Sequence, residues 1–98
     1  MANLRKEAKG RECQVRLPGV CNWNPETTVL AHIRNAGITG GGQKANDIHG
    51  AYCCSACHDV LDRRVKSDLS REELENAHLW GVIRTQLILM REGKLCVK

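Results

Sequence analysis

Phenylalanine is absent from this 98-residue sequence, which has one tyrosine, two tryptophans and two prolines. Large aromatic side chains bury the most area per residue, and a short chain already has an unfavourable ratio of surface to volume. An apolar core alone is therefore expected to be thin, and some other staple is needed. Long apolar runs are missing too: no stretch approaches ~18 consecutive apolar residues, which argues against a transmembrane span and a membrane partner. The first seven residues carry a charge cluster with no apolar run behind it, so no secretory signal is expected. The location these absences predict is a reducing cytoplasm, where closely spaced cysteines are more often metal ligands than disulfides. The glycine-rich segment does not end in the Gly-Lys-Ser/Thr spacing of a phosphate loop, so no nucleotide cofactor is expected. With no internal repeat and no linker, residues 1–98 are read as one domain.

Strong charge of one sign is also missing. Fifteen basic against eleven acidic residues leave a net charge of +4, far from the balance of a nucleic-acid coating protein. The charges do cluster. Arg5, Lys6, Lys9, Arg11 and Arg16 crowd the beginning, Arg63, Arg64 and Lys66 follow the last close cysteine pair, and Glu72, Glu73 and Glu75 gather later. A basic side facing an acidic side and a set of merely solvated faces fit this pattern equally.

The cysteines are abundant, six in all. Cys54 and Cys57 are separated by two residues where a strand is expected to turn into a helix. Cys13 and Cys21 flank the turn at Pro18 and Gly19. Two such pairs brought together form a tetrahedral four-cysteine zinc site, whose binding energy supports a small domain. A redox role for Cys54 and Cys57 lacks the βαβ scaffold of thioredoxin-type motifs. Cys53 and Cys96 fall outside the two-pair scheme and read as small buried or idle thiols.

Between these pairs the chain reads as a strand from 13 to 17 entering a knuckle, a second strand over 27–33, a flexible glycine-rich loop over 37–44, and a short strand over 48–54. A helix then follows from Ser55 with Ala56, Val60, Leu61 and Val65 at helical spacing. Ser70 and Glu73 match a capping box, opening an amphipathic helix over about 70–92 with Leu74, Ala77, Trp80 or Gly81, Ile83, Leu87 and Met90 inward. Packing of that face within its own domain is the default expectation. The fold class is α+β, with a motif core over 13–66 and an added C-terminal helix.

Two histidines could add chemistry to this scaffold. His58 and Asp62 are four apart on one helix face, a spacing that suits a second metal held by an imidazole and a carboxylate. It equally suits a capping His58 with Asp62 paired to Arg63 or Lys66. His32, alone at a strand end, reads first as a hydrogen-bonded structural residue.

The segments Leu30-Ala31-His32-Ile33-Arg34 and Ala51-Tyr52-Cys53-Cys54-Ser55-Ala56-Cys57-His58-Asp59, with a glycine-rich loop between them, resemble the HNH or ββα-metal nucleases built around a four-cysteine zinc. Residues 10–13, 25–27, 31–34 and 54–59 are similar to the prophage-encoded YbcO-type nucleases. The resemblance implies a metal-dependent endonuclease that hydrolyses DNA phosphodiesters. It implies His32 as general base and His58 at a catalytic divalent ion such as Mg, Mn, Ni or Zn, with Asp62 added from helix spacing. The family's orienting asparagine has its counterpart in Asn46 or Asp47, with His49 close by. Many members carry a metal-binding residue where this sequence has Ala31, so His32 itself, or Asp62, Asp47 or His49, must stand in for it. Arg34, Arg63, Arg64 and the basic beginning of the chain are expected on backbone phosphates. A non-catalytic zinc module for nucleic acid or a protein partner is the competing reading. A metal-storage or redox thiol protein would leave His32 and the capped helix without a use.

Overall fold

A computed structural model describes residues 4–33 and 47–95. The expected glycine loop, Arg34, Asn46 and Cys96 lie outside the described residues. The described elements are α1 (Leu4–Glu7), β1 (Val29–His32), β2 (Gly50–Cys53), α2 (Ser55–Leu61) and α3 (Arg71–Arg91), with 3₁₀ turns at Pro25–Thr27 and Asp47–His49. The α+β class holds. Residues 13–17 form no strand; they cross the edge of β2 through one backbone bond, from the Gln14 amide to the Tyr52 carbonyl, at 2.7 Å. The positive φ of Arg16, 53°, turns the chain there instead.

β1 and β2 pair antiparallel, with Leu30 opposite Tyr52, Ala31 opposite Ala51 and His32 opposite Gly50. Gly50 is required by packing: a Cβ built on it would sit 2.5 Å from Leu30 Cγ. All four residues of β2 are buried, because its two faces feed two cores. Ala51 and Cys53 join Ala31, Val15, Val60, Val82 and the cysteines. Tyr52 joins Leu30, Leu4, Ala8 and Leu89.

Helix α3 opens with the expected capping box: Ser70 accepts from the Glu73 amide, and the Glu73 side chain accepts from the Ser70 amide. It packs chiefly on β2, but through a different face from the one its largest apolar residues suggest. Gly81, Val82, Thr85 and Leu89 are buried, Leu74 and Ala77 are partly buried, and Trp80, Ile83, Leu87 and Met90 point outward. Two small residues decide the face. A Cβ on Gly81 would lie 2.8 Å from Val15 Cγ2 and 3.2 Å from Ala51 Cβ, so only glycine permits this approach. Thr85 Oγ1 accepts the outward-facing Tyr52 amide at 2.9 Å and donates to the Gly81 carbonyl at 2.8 Å. A two-stranded sheet leaves such edge amides orphaned unless a side chain caps them. Val65, expected on the α2 face, lies beyond that helix and is exposed.

Thr85→Val keeps the shape of the side chain and removes the hydroxyl, leaving the Tyr52 amide buried without a partner. A loss of about 1–3 kcal/mol is expected in urea unfolding. An unchanged midpoint would show that the hydroxyl does not hold the helix to the strand.

Part of the basic beginning of the chain is paired within the fold, where it meets the end of α3. Arg11 forms a two-pronged ion pair with Glu92, including a contact from Nη2 to Oε1 of 2.6 Å, and also reaches Glu7. Lys94 bridges Glu7 at 2.7 Å and Glu92 at 3.0 Å. Hydrogen bonds from Arg11 and Lys94 hold the Glu92 carboxyl at about 2.

Candidate functional site

Cys54 follows β2 and caps α2, its Sγ accepting from the Cys57 amide at 3.4 Å. Cys57 lies in the first turn of that helix, whose N-terminal dipole favours thiolates. Cys13 enters from the other side, its Sγ accepting from the Arg16 amide at 3.4 Å, and Cys21 follows the turn that the Leu17 carbonyl closes by accepting from the amides of Val20 and Cys21. The four sulfurs lie within 4.8 Å of one another, and Cys21 Sγ is 3.8 Å from Cys54 Sγ. A tetrahedron with zinc–sulfur bonds of ~2.3 Å has edges of about 3.8 Å. The donor set and its spacing are therefore compatible with a structural metal such as zinc, and no described cysteine is in a disulfide. Hydrogen bonds from the Cys53 and Cys57 thiols hold the Cys13 thiol far below its ordinary range, while burial pushes Cys21 up to about 11. Cys53 is fully buried beside the quartet.

His32 lies at the end of β1 and His58 on α2. His32 Nε2 is 2.7 Å from Asp47 Oδ1, and Arg5 Nε donates to the same oxygen at 3.2 Å. Asp47 is presented by the 3₁₀ turn that precedes β2. The bond to His32 and the Arg5 guanidinium keep its carboxyl below the ordinary 3.8. The Ile33 amide donates to the His49 carbonyl at 3.0 Å, holding that turn beside the end of β1. His49 Nδ1 is buried without a partner among the described residues. His58, on α2, places Nε2 3.2 Å from Asp62 Oδ2. Asp62 follows the helix as its C-cap. The capping of α2 falls to Cys54 and not to His58, and Asp62 pairs with His58 and Arg64 and not with Arg63 or Lys66.

A cavity of about 340 Å³ is lined by Arg5, Val29, Leu30, His32, His58 and Asp62. A second, of about 310 Å³, shares His32 and Asp62 and is bordered by Arg63, Arg71 and His78. His32, His58 and Asp62 thus face common space. Their atoms do not converge as tightly as the sulfurs do: among the described residues, the cysteine quartet is the group of three or more donors gathered closely enough for one ion. His58 and Asp62 offer two donors 3.2 Å apart, close to the roughly 3 Å separating neighbouring ligands at bonds of ~2.1 Å.

Spacing along the chain did not single out Arg5 or His78. His78 Nε2 donates to the Ala31 carbonyl at 2.8 Å, and burial lowers its basicity, favouring the neutral ring. Leu74 and His78, four apart on α3, both border the second cavity. Which side of α3 meets β1 depends on Gly81 and Thr85, so no local signal marked His78. Arg63 borders the second cavity, while Arg64 is held by Asp59 and Asp62 at 3.4 Å. No described helix is long and apolar enough to cross a membrane.

Residues 2–94 match the family described as "Putative nuclease YbcO". The sequence is 54% identical over 96 residues to "Putative nuclease YbcO" of Escherichia coli (strain K12), covering 95% of this chain and 96% of that one. It has the same identity and coverage with "Putative nuclease ybcO" of Enterobacteria phage 82. A solved structure described as "Structure of a putative bacteriophage protein from Escherichia coli str. K-12 substr. MG1655" superposes with a TM-score of 0.78 at 48% identity. That match covers 93% of this chain and 100% of the other.

Proposed function

This chain belongs to the YbcO nuclease family, and we propose that it is an HNH-type endonuclease that hydrolyses DNA phosphodiester bonds in the cytoplasm, with a zinc ion held by Cys13, Cys21, Cys54 and Cys57. The observation that carries the reading is that His32, bonded to Asp47, faces one cavity together with the His58 and Asp62 pair. Asp47 accepts from His32 Nε2, which fixes the tautomer and leaves Nδ1 free to take a proton from water. Arg5 holds Asp47 in place for that task. His58 Nε2 and Asp62 Oδ2 would hold a divalent cation such as Mg, Mn, Ni or Zn. When bound, that cation supplies positive charge to the scissile phosphate and its leaving oxygen. Arg63, at the cavity edge, and Arg34 and Arg64 would meet backbone phosphates, which give affinity without reading sequence. One domain spanning the chain would carry both centres, in the ββα-metal arrangement of β1, β2 and α2.

A non-catalytic zinc module is the second reading. It is favoured by one observation: outside the cysteines, no three described donors gather at one point. Incubating the zinc-loaded chain with supercoiled plasmid and Mg²⁺, Mn²⁺ or Ni²⁺ separates the two. Nicked or linear product with at least one added metal is expected. Binding of the plasmid with no cleavage under any of them would establish the module instead.

A further inference from the structure

Helix α3 is apolar on two opposite sides. One side is used by the sheet, through Gly81, Val82, Thr85 and Leu89. On the other, Leu79, Trp80, Ile83, Leu87 and Met90 stand between 44% and 50% exposed. A helix apolar all round is one covered on both sides. Trp80, Ile83, Leu87 and Met90 follow one another at spacings of three, four and three, which is the a/d seam of a helix pair. We propose that α3 pairs antiparallel with α3 of a second copy of this chain, forming a two-fold dimer.

Three observations select this occupant. The parts of this chain outside the described residues are poorly suited to cover the seam: residues 1–3 offer only Met1 and Ala2 as apolar side chains, residues 34–46 only Ala36, Ile38 and Ala45, and residues 96–98 only Cys96 and Val97. The seam is also left open by its neighbours. Arg84 donates inward to the Gln14 carbonyl at 2.8 Å, and Gln86 donates inward to the Ile48 carbonyl at 2.6 Å. Its area is adequate. Five large side chains near half exposure leave on the order of 450 Å² of apolar surface in one stripe. Two copies together bury about 900 Å² through these residues alone, and the flanking residues bring the total past the ~1,000 Å² of a specific interface.

The helix dipoles then set the direction: parallel pairing would set like ends side by side, whereas antiparallel pairing opposes the two dipoles. In the register that sets Trp80 against Met90 and Ile83 against Leu87 of the other copy, all four layers are apolar. The interface is isologous, as a two-fold requires. The dimer does not depend on nuclease activity, and the cysteine quartet is not part of it.

Sedimentation equilibrium of the zinc-loaded full chain over ~1 μM to ~1 mM tests this. A mass rising from 10.9 kDa to twice that is expected, with a dissociation constant on the order of micromolar. Leu87→Glu, at an exposed position, should raise that constant at least ~30-fold with circular dichroism and zinc content unchanged. A wild-type chain still at 10.9 kDa near 1 mM, or a Leu87→Glu variant that associates as tightly as wild type, overturns the dimer.

Discussion

Cys57→Ser is expected to lose the zinc and the folded state together, visible as absent metal by elemental analysis and a lost thermal transition by circular dichroism. A serine hydroxyl does not ionise near neutral pH, so three thiolates remain where the tetrahedral site needs four. Structural zinc contributes on the order of 10–16 kcal/mol of apparent binding free energy at neutral pH, comparable to the whole stability of a small domain. The quartet also lies where the chain depends on it most: Cys13, Cys54 and Cys57 are themselves members of the larger core. A chelator should have the same effect on the wild-type chain, reversed by added zinc. Cys53→Ala provides the contrast. It removes a thiol that is buried beside the quartet without belonging to it, so metal should be retained at a modest loss of stability. A Cys57→Ser chain that melts like wild type would sink the structural zinc.

His32→Ala should lower plasmid cleavage by about 10²–10⁴-fold, the usual range for a lost general base, while zinc content and melting temperature stay near wild type. Asp47 separates orientation from charge. Asp47→Ala removes the acceptor for His32 Nε2 and frees the ring, so a loss approaching that of His32→Ala is expected. Asp47→Asn keeps an oxygen that can accept the same hydrogen bond, so it should retain much more activity. Equal losses in the two Asp47 variants would mean that the carboxylate charge, and not the hydrogen bond, supports His32. Cleavage at the wild-type rate by His32→Ala would remove His32 from the chemistry and leave the family activity to other residues.

Local sequence features revealed some of this molecule well. The capping box at Ser70 and Glu73 marked the start of α3 because its reciprocal bonds are made within four residues. The two cysteine pairs could be matched to each other because thiolates have few reasons to recur at such spacing in a chain with a thin core. Helix geometry places His58 and Asp62 on one face, but it suits a pairing of Asp62 with Arg63 or Lys66 equally, and only the folded chain shows the contact with His58. The expected strand at 13–17 was misread for a related reason: alternation of apolar and polar residues signals a buried face but does not supply a partner strand. That segment is buried against the cysteines while it turns at Arg16.

The sequence by itself determined the cysteine quartet, the long capped helix and the α+β class, since each rests on interactions between residues near in the chain or on donor chemistry that is legible in residue type. Only the tertiary structure decided which side of α3 is buried. That choice turns on the absent Cβ of Gly81 and on the orphan Tyr52 amide that Thr85 satisfies, and neither registers in apolar periodicity. The same docking brings His78 to the Ala31 carbonyl across 47 residues and leaves the Trp80 to Met90 stripe facing out. The meeting of Arg5, His32 and Asp47 likewise exists only once α1 and the turn before β2 have packed around β1. Contacts between residues distant in the chain are chosen by close packing and by the need to satisfy buried polar groups, both of which are properties of the assembled fold.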